Sequence, residues 1–202
     1  MIVQILLAAG FSSRMKTSKP LLEFGGVPLI SRLLEEFRRS AVDEIVVVLG
    51  HEKEKIVEQV DLSGVRVVVN HQYQQGQTSS IQCALRNLNL ETKAFLNLPV
   101  DHPLVTAREI DALVAAYRSR EVEAKIFIPE FEGEPGRPVL FDHSLAAEIL
   151  ALGSEEPVHG IFKKHRQNIS RVTVENPYIM KDMDTPEDYR DCLALWEEID
   201  NP

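Results

Sequence analysis

Apolar runs of strand length alternate with helical stripes along the first two thirds of the chain. Ile2 to Leu7, Glu44 to Leu49, Val65 to Val69 and Ala94 to Leu98 are nearly unbroken runs rich in Val, Ile and Leu. Such runs suit strands covered on both faces. Between them, Leu29, Leu33, Leu34 and Phe37 share one helical face, with Pro28 placed for a first turn. Ile56, Val57 and Val60 predict a second helix, Ile81, Ala84, Leu85 and Leu88 a third, and Ile110, Leu113, Val114 and Tyr117 a fourth. This alternation predicts an α/β fold: a doubly wound, mainly parallel sheet with helices on both faces. The last third is less regular. Strands are expected at Lys125 to Pro129, Gly136 to Phe141 and Val172 to Val174, with the turn-rich EFEGEPG between the first two. Helices are expected at Ser144 to Leu152, Val158 to His165 and Pro186 to Ile199, the last begun by Asp184-Thr185-Pro186. No repeat, low-complexity segment or linker interrupts the pattern, so residues 1–202 read as a single domain.

Composition narrows the function. With 202 residues, 44% of them hydrophobic, the chain can bury a core without metal or disulfide staples. Cys83 and Cys192 form no CxxC pair and suit a reducing cytoplasm. The opening MIVQILLAAG has no preceding Lys or Arg, unlike a secretory signal, and no run approaches a membrane span. A formal net charge of −9 argues against nucleic acid as a partner.

Against that acidic background one loop stands out. In LLAAGFSSRMKTSKPLL, residues 6–22, an apolar run ends in small residues and then in fixed positive charge. Ligands of doubly wound sheets settle outside the carboxyl ends of the strands, which is where this loop must lie. Ala8, Ala9 and Gly10 let the backbone approach a ligand and turn N–H groups toward phosphate oxygens. Arg14 offers a planar fork to a phosphate. Lys19 reads as an exposed, mobile point charge that holds up no core. Neither GxxxxGK[ST] nor GxGxxG occurs, so the two commonest phosphate-binding loops do not explain the segment.

The loop resembles the LAAGxSxRMxxxK signature of the MobA-like nucleotidyltransferases. The likeness continues, in order, through QGQTSSI, LPVDHPLV, GRPVLF and DMDTPEDY. It is nearest to the molybdenum cofactor cytidylyltransferase branch, which joins CMP to molybdopterin using CTP and magnesium. The resemblance implies a Rossmann-like fold and a nucleotide site at Leu7, Ala8, Ala9, Gly10, Arg14, Lys19, Gly76, Gln77 and Ser79. It makes Arg14, Lys19 and Asp101 catalytic, and Asp101 and Asp184 ligands of Mg2+, with Asp182 as the fallback. Read as residues alone, Asp101 also suits a turn, Asp184 an N-cap, and Thr78, Ser79 and Ser80 helix caps. His102 suits either substrate contact or a place behind Asp101. LAAG rather than LAGG favours CTP over GTP, because the Ala9 methyl narrows the room for a purine. GSEEPVHGIFKKH stands where many members of the branch carry a GDKGAR-like stretch. The acceptor is therefore open between molybdopterin and a sugar or polyol phosphate. A nucleotide-binding accessory protein without turnover is a third reading. The implied partners are CTP, the phosphorylated acceptor and, transiently, a molybdoenzyme or its chaperone in the cytoplasm.

Overall fold

In the computed structural model, residues 1–11, 15, 17–120, 123–153 and 156–200 are described. An eight-stranded sheet forms the centre, and it is mixed. β1 (Ile2–Ala8) pairs in parallel with β4 (Glu44–Leu49) on one side and β6 (Ala94–Pro99) on the other, and β4 pairs with β5 (Arg66–Val69). On the far side β9 (Val139–Asp142) runs antiparallel to both β6 and β7 (Ile126–Phe131), and β10 (Ile169–Thr173) lies parallel to β7. A short β8 (Glu134–Pro135) folds back on β7 through Glu132 and Gly133, whose φ angles of 49° and 89° suit a two-residue hairpin loop. Too few residues separate β7 from β9 for a parallel crossover, so β9 has to reverse direction. The hairpin β2 (Glu23–Phe24) and β3 (Val27–Pro28) stands apart as its own small sheet.

Strand alternation divides the core in two. Ile2, Leu6 and Ala8 of β1 face one layer with α1 (Leu29–Arg39), α2 (Lys53–Gln59) and α4 (Ala107–Arg118), which Cys192 of α7 (Pro186–Asp200) also joins. Val3, Ile5, Leu7 and Ala9 face the other, with α3 (Gln77–Leu85), α5 (Ala146–Leu150) and α6 (His159–Lys164). The expected elements all occur, with shifted ends. Pro28 is the N-cap of α1 rather than part of its first turn, and Val57 is exposed on α2, which buries only Ile56. Gly136, Arg137 and Pro138 precede β9 rather than belonging to it, and Arg137–Pro138 is a cis peptide bond.

Topology fixes the site. From β1 the chain moves to β4 and β5 in one direction, then returns to place β6 on the opposite side of β1. The switch point lies between β1 and β6, where the loops leaving both strands part and leave a crevice. The segment before α7 is docked to the same edge. Arg137 N–H donates to the Ile179 carbonyl at 2.9 Å, and Met183 N–H to the Asp101 carbonyl at 2.9 Å. Gly136 permits this contact, because a Cβ there would meet Ile179 Cγ1 at 2.5 Å and its carbonyl oxygen at 2.7 Å. Gly136→Ala should therefore cost about 1–3 kcal/mol in urea unfolding, the usual range for overpacking against backbone.

Candidate active site

The loop leaving β1 and the start of α3 enclose a cleft of about 330 Å³. Its lining includes Leu7, Ala8, Ala9, Gly10, Lys19, Gly76, Gln77 and Asp101, residues far apart in sequence that the motifs had singled out. The Gly10 and Phe11 amides donate to no other protein group among the described residues. They are thus available to phosphate oxygens. Ala9 is held rigidly, since its carbonyl accepts from His51 N–H at 3.1 Å. A Cβ at Gly50 would meet that same carbonyl at 2.8 Å and the Ala9 methyl at 2.9 Å. Glycine at position 50 is therefore what lets the β4 end pack this closely against Ala9. Arg14 lies outside the described residues.

At the start of α3 the division of labour differs from the expected one. Ser79 Oγ has one proton to give, with the Gly76 carbonyl at 2.8 Å and the Gln72 carbonyl at 3.1 Å as its acceptors, and it accepts from Asn70 Nδ2 at 2.9 Å. Its hydroxyl is committed to structure, and Ser80 reaches the cleft wall instead. Among the described residues no side chain caps α3; its N-cap is Gly76, with φ 90°. Asn70, buried at the end of β5, holds both serines and was invisible to motif reading. Phe11 adds a half-exposed ring at the cleft mouth, 4.6 Å from His51 and 5.1 Å from Tyr73.

Lys19 corrects the expectation most. It is 8% exposed rather than a mobile loop cation. Its Nζ lies 2.8 Å from Asp184 Oδ1 and 3.4 Å from Asp101 Oδ2. One ammonium thereby gathers two carboxylates, delivered by the loop after β6 and the segment before α7, that are far apart in sequence. The N-cap alternative for Asp184 gives way to its neighbour. Asp188 N–H donates to Thr185 Oγ1 at 3.2 Å, while Asp188 Oδ2 accepts from Thr185 N–H at 2.7 Å, a reciprocal capping box. With Thr185 capping the helix, the Asp184 carboxylate is left to face Lys19. Asp182 is exposed on the same segment. Asp101 likewise exceeds a turn role, since its side chain meets Lys19.

His102 stands behind Asp101, its Nε2 at 3.9 Å from Asp101 Oδ1, too far for a hydrogen bond. Burial lowers its pKa against the upward pull of Asp101, so the ring is neutral at pH 7. Arg137, absent from the expected set, comes from the segment before β9. Burial draws its pKa down, and the nearby Asp101 carboxylate pulls it back up.

Two stability measurements test this arrangement. Lys19→Ala leaves two part-exposed carboxylates facing one another. The expected loss, discounted for solvent screening, is about 1–2 kcal/mol. For a chain of this size that is a fall in Tm of about 2–8 °C. Thr185→Ala should remove about 0.5–2 kcal/mol through the lost cap, whereas Asp184→Asn keeps that cap and should lose no more in the same thermal melts than Lys19→Ala does, through the weakened ion pair alone.

Residues 4–169 match the family model of the MobA-like NTP transferase domain. Among characterised proteins, the bifunctional protein GlmU of Synechococcus sp. (strain CC9311) is 30% identical over 138 residues, which are 67% of this chain and 30% of that protein. The chain thus spans under a third of the length of that relative. A solved homologue of Mycobacterium tuberculosis Rv0371c, from Mycobacterium sp. strain JC1, superposes with a TM-score of 0.85 at 26% identity, covering 98% of each chain. Rv0371c itself, crystallised in complex with manganese, superposes with a TM-score of 0.81 at 22% identity over 96% of this chain and 98% of that one. The chain belongs to the MobA-like NTP transferase family.

Proposed function

We propose that the chain transfers CMP from CTP to a phosphorylated small-molecule acceptor, releasing pyrophosphate, with residues 1–202 acting as one nucleotidyltransferase domain. The family sets the reaction class. The observation that carries the reading is the Lys19–Asp101–Asp184 cluster at the edge of the small-residue cleft. In this reading the backbone from Ala8 to Gly10 cradles phosphate. Lys19, with Arg14, neutralises the departing pyrophosphate. Gly76, Gln77 and the α3 serines bound the base and ribose, Ser79 indirectly through the turn it ties.

The carboxylate pair suits magnesium. Two hard oxygen donors already converge on one cation. Phosphate oxygens and water would complete the shell of an ion held by Asp101 and Asp184. When bound, the ion would neutralise charge on the reacting phosphates. Members of the family typically use a divalent metal, and the manganese complex of a structural neighbour is consistent with one here.

Ala9 lines the cleft, and its methyl in place of a glycine favours CTP, as a narrower cleft disfavours a purine. Molybdopterin is the leading acceptor on the sequence resemblance, and a sugar or polyol phosphate is the second. The location read from the sequence is the cytoplasm, with transient delivery to a molybdoenzyme or its chaperone. No helix among the described residues is long and apolar enough to cross a membrane.

Pyrophosphate release is the direct test, measured with CTP, GTP, UTP and ATP against molybdopterin, glucose 1-phosphate and ribitol 5-phosphate. Turnover should favour CTP; preference for GTP would overturn the cytidylyl assignment. Asp101→Asn and Asp184→Asn should each lower turnover by orders of magnitude, in part recovered at higher magnesium, because asparagine lacks the charge the cation requires. Wild-type rates in Asp101→Asn would remove the site from consideration. Wild-type rates in Asp184→Asn alone would move the second ligand to Asp182 or to solvent. Lys19→Ala should lower kcat/KM by roughly 10- to 150-fold, the worth of about 1.5–3 kcal/mol for a charged hydrogen bond.

A further inference from the structure

The proposed reaction gives one side chain two tasks that geometry keeps apart. Lys19 Nζ lies on the carboxylates, 2.8 Å from Asp184 Oδ1 and 3.4 Å from Asp101 Oδ2. The same ammonium is to neutralise phosphate, and the same carboxylates are to hold a divalent cation. These duties exclude one another, because two cations on one pair of oxygens repel strongly where water is partly excluded. The charge of the cluster is already matched: two carboxylates meet the Lys19 ammonium and, near Asp101, the Arg137 guanidinium. Burial and backbone contacts show which group can move. The Lys19 side chain is 10% exposed, against 29% for Asp101 and 27% for Asp184, so the carboxylates open outward while the ammonium lies within. Lys19 and Asp101 both line the nucleotide cleft, with Gly10 and Gly76. The Lys19 backbone is pinned in the turn Lys19–Leu21, where its carbonyl accepts from Leu22 N–H at 3.2 Å and Pro20 fixes the next φ. Its four-carbon stem and rotatable donors still let the charge change partners without moving the loop.

We propose that Lys19 is an exchangeable stand-in for the metal: it holds the carboxylate pair until a nucleotide's phosphates draw it off, which frees the pair for a divalent cation. The inference rests on the nucleotidyl-transfer reading and adds to it a coupling between the two ligands. Lys19 opposes a divalent cation that arrives alone, because the ammonium has first to leave both carboxylates. It also opposes a nucleotide that arrives alone, because its departure leaves two bare carboxylates facing anionic phosphates. Either ligand by itself has to break the Lys19 contacts, and the two together break them once. Binding is therefore cooperative, and linkage makes the effect equal in both directions. The strength of the Lys19 contacts then shows twice, as weakened metal binding without nucleotide and, by the same factor, as added cooperativity. A lysine that stayed in place would behave differently. It would repel the cation equally with and without nucleotide, and it would add nothing to the coupling.

Manganese is the probe cation, and a CTP analogue carrying a methylene bridge between the α- and β-phosphorus is the probe nucleotide. Manganese binding without nucleotide would be followed by water-proton relaxation. Analogue binding would be measured by calorimetry, once in EDTA and once in saturating manganese. Lys19→Met should bind manganese alone at least about fivefold more tightly than wild type, the lower end of typical coupling between sites. In the same variant, the factor by which manganese tightens analogue binding should shrink by that same ratio, within about twofold. Chelation of manganese by the analogue in solution is common to both proteins and cancels from the comparison. Tighter manganese binding with an unchanged factor would overturn the proposal and leave Lys19 a fixed charge. Unchanged manganese affinity would also overturn it, since the ammonium would then not compete for the pair. Failure of the analogue to bind wild-type protein, or a Kd indifferent to manganese, would overturn the nucleotidyl-transfer reading as well. Should Lys19→Met unfold, Lys19→Gln takes its place with the same two expectations and the same outcomes against it.

Discussion

One ammonium group holds the ligand edge of this molecule together. Lys19 meets Asp101, 82 residues away in sequence, and Asp184, 165 residues away. Without a cation between them, the two carboxylates would repel each other across a site only partly open to water. The backbone repeats the link: Met183 N–H reaches the Asp101 carbonyl, so the segment before α7 is fixed to the loop after β6 at two levels. The parallel strands supply the platform, since the loops leaving the paired strands β1 and β6 part at the switch point where this cluster sits.

The same cluster sits in an acidic chain, and that contrast has a physical meaning. A net charge of −9 repels polyphosphates at long range, so an anionic ligand must be met by local cations and backbone N–H groups. Lys19 and Arg137 flank Asp101, while buried His102 stays neutral beside it. Charge of both signs is therefore concentrated at the crevice, where the low dielectric of its walls makes each contact stronger than it would be on the surface.

How much of this the sequence disclosed depended on the range of the forces involved. β1, β4 and β6 were plain because strands covered on both faces need unbroken apolar residues, and Ile5, Val47 and Leu96 are wholly buried. Val57 misled because helical spacing alone cannot say which layer a short helix faces. In DTP, either Asp184 or Thr185 has the chemistry of a cap, and only the reach of Asp188 separates them. The burial of Lys19 was illegible for a different reason: its partners arrive through tertiary folding, and no local pattern encodes them. Arg137 drew no notice because attention fell on the loops that follow strands. β9 runs against its neighbours, so its beginning, rather than its end, lies at the ligand edge.

That reversed strand also bears on how such a protein can diversify. The walls of the first cleft come from β1, β6 and the turn before α3, crossover units whose strands are locked between two packed layers. A neighbouring cleft of about 280 Å³, which shares Gly76 and Gln77 with the first, takes much of its lining from β9, the segment before it and a six-residue helix, reached through short connections outside those units. Insertions or exchanges there leave the register of β1, β4 and β6 untouched. The scaffold can keep one set of walls constant while trading the other, much as a lathe keeps its headstock and changes the tool.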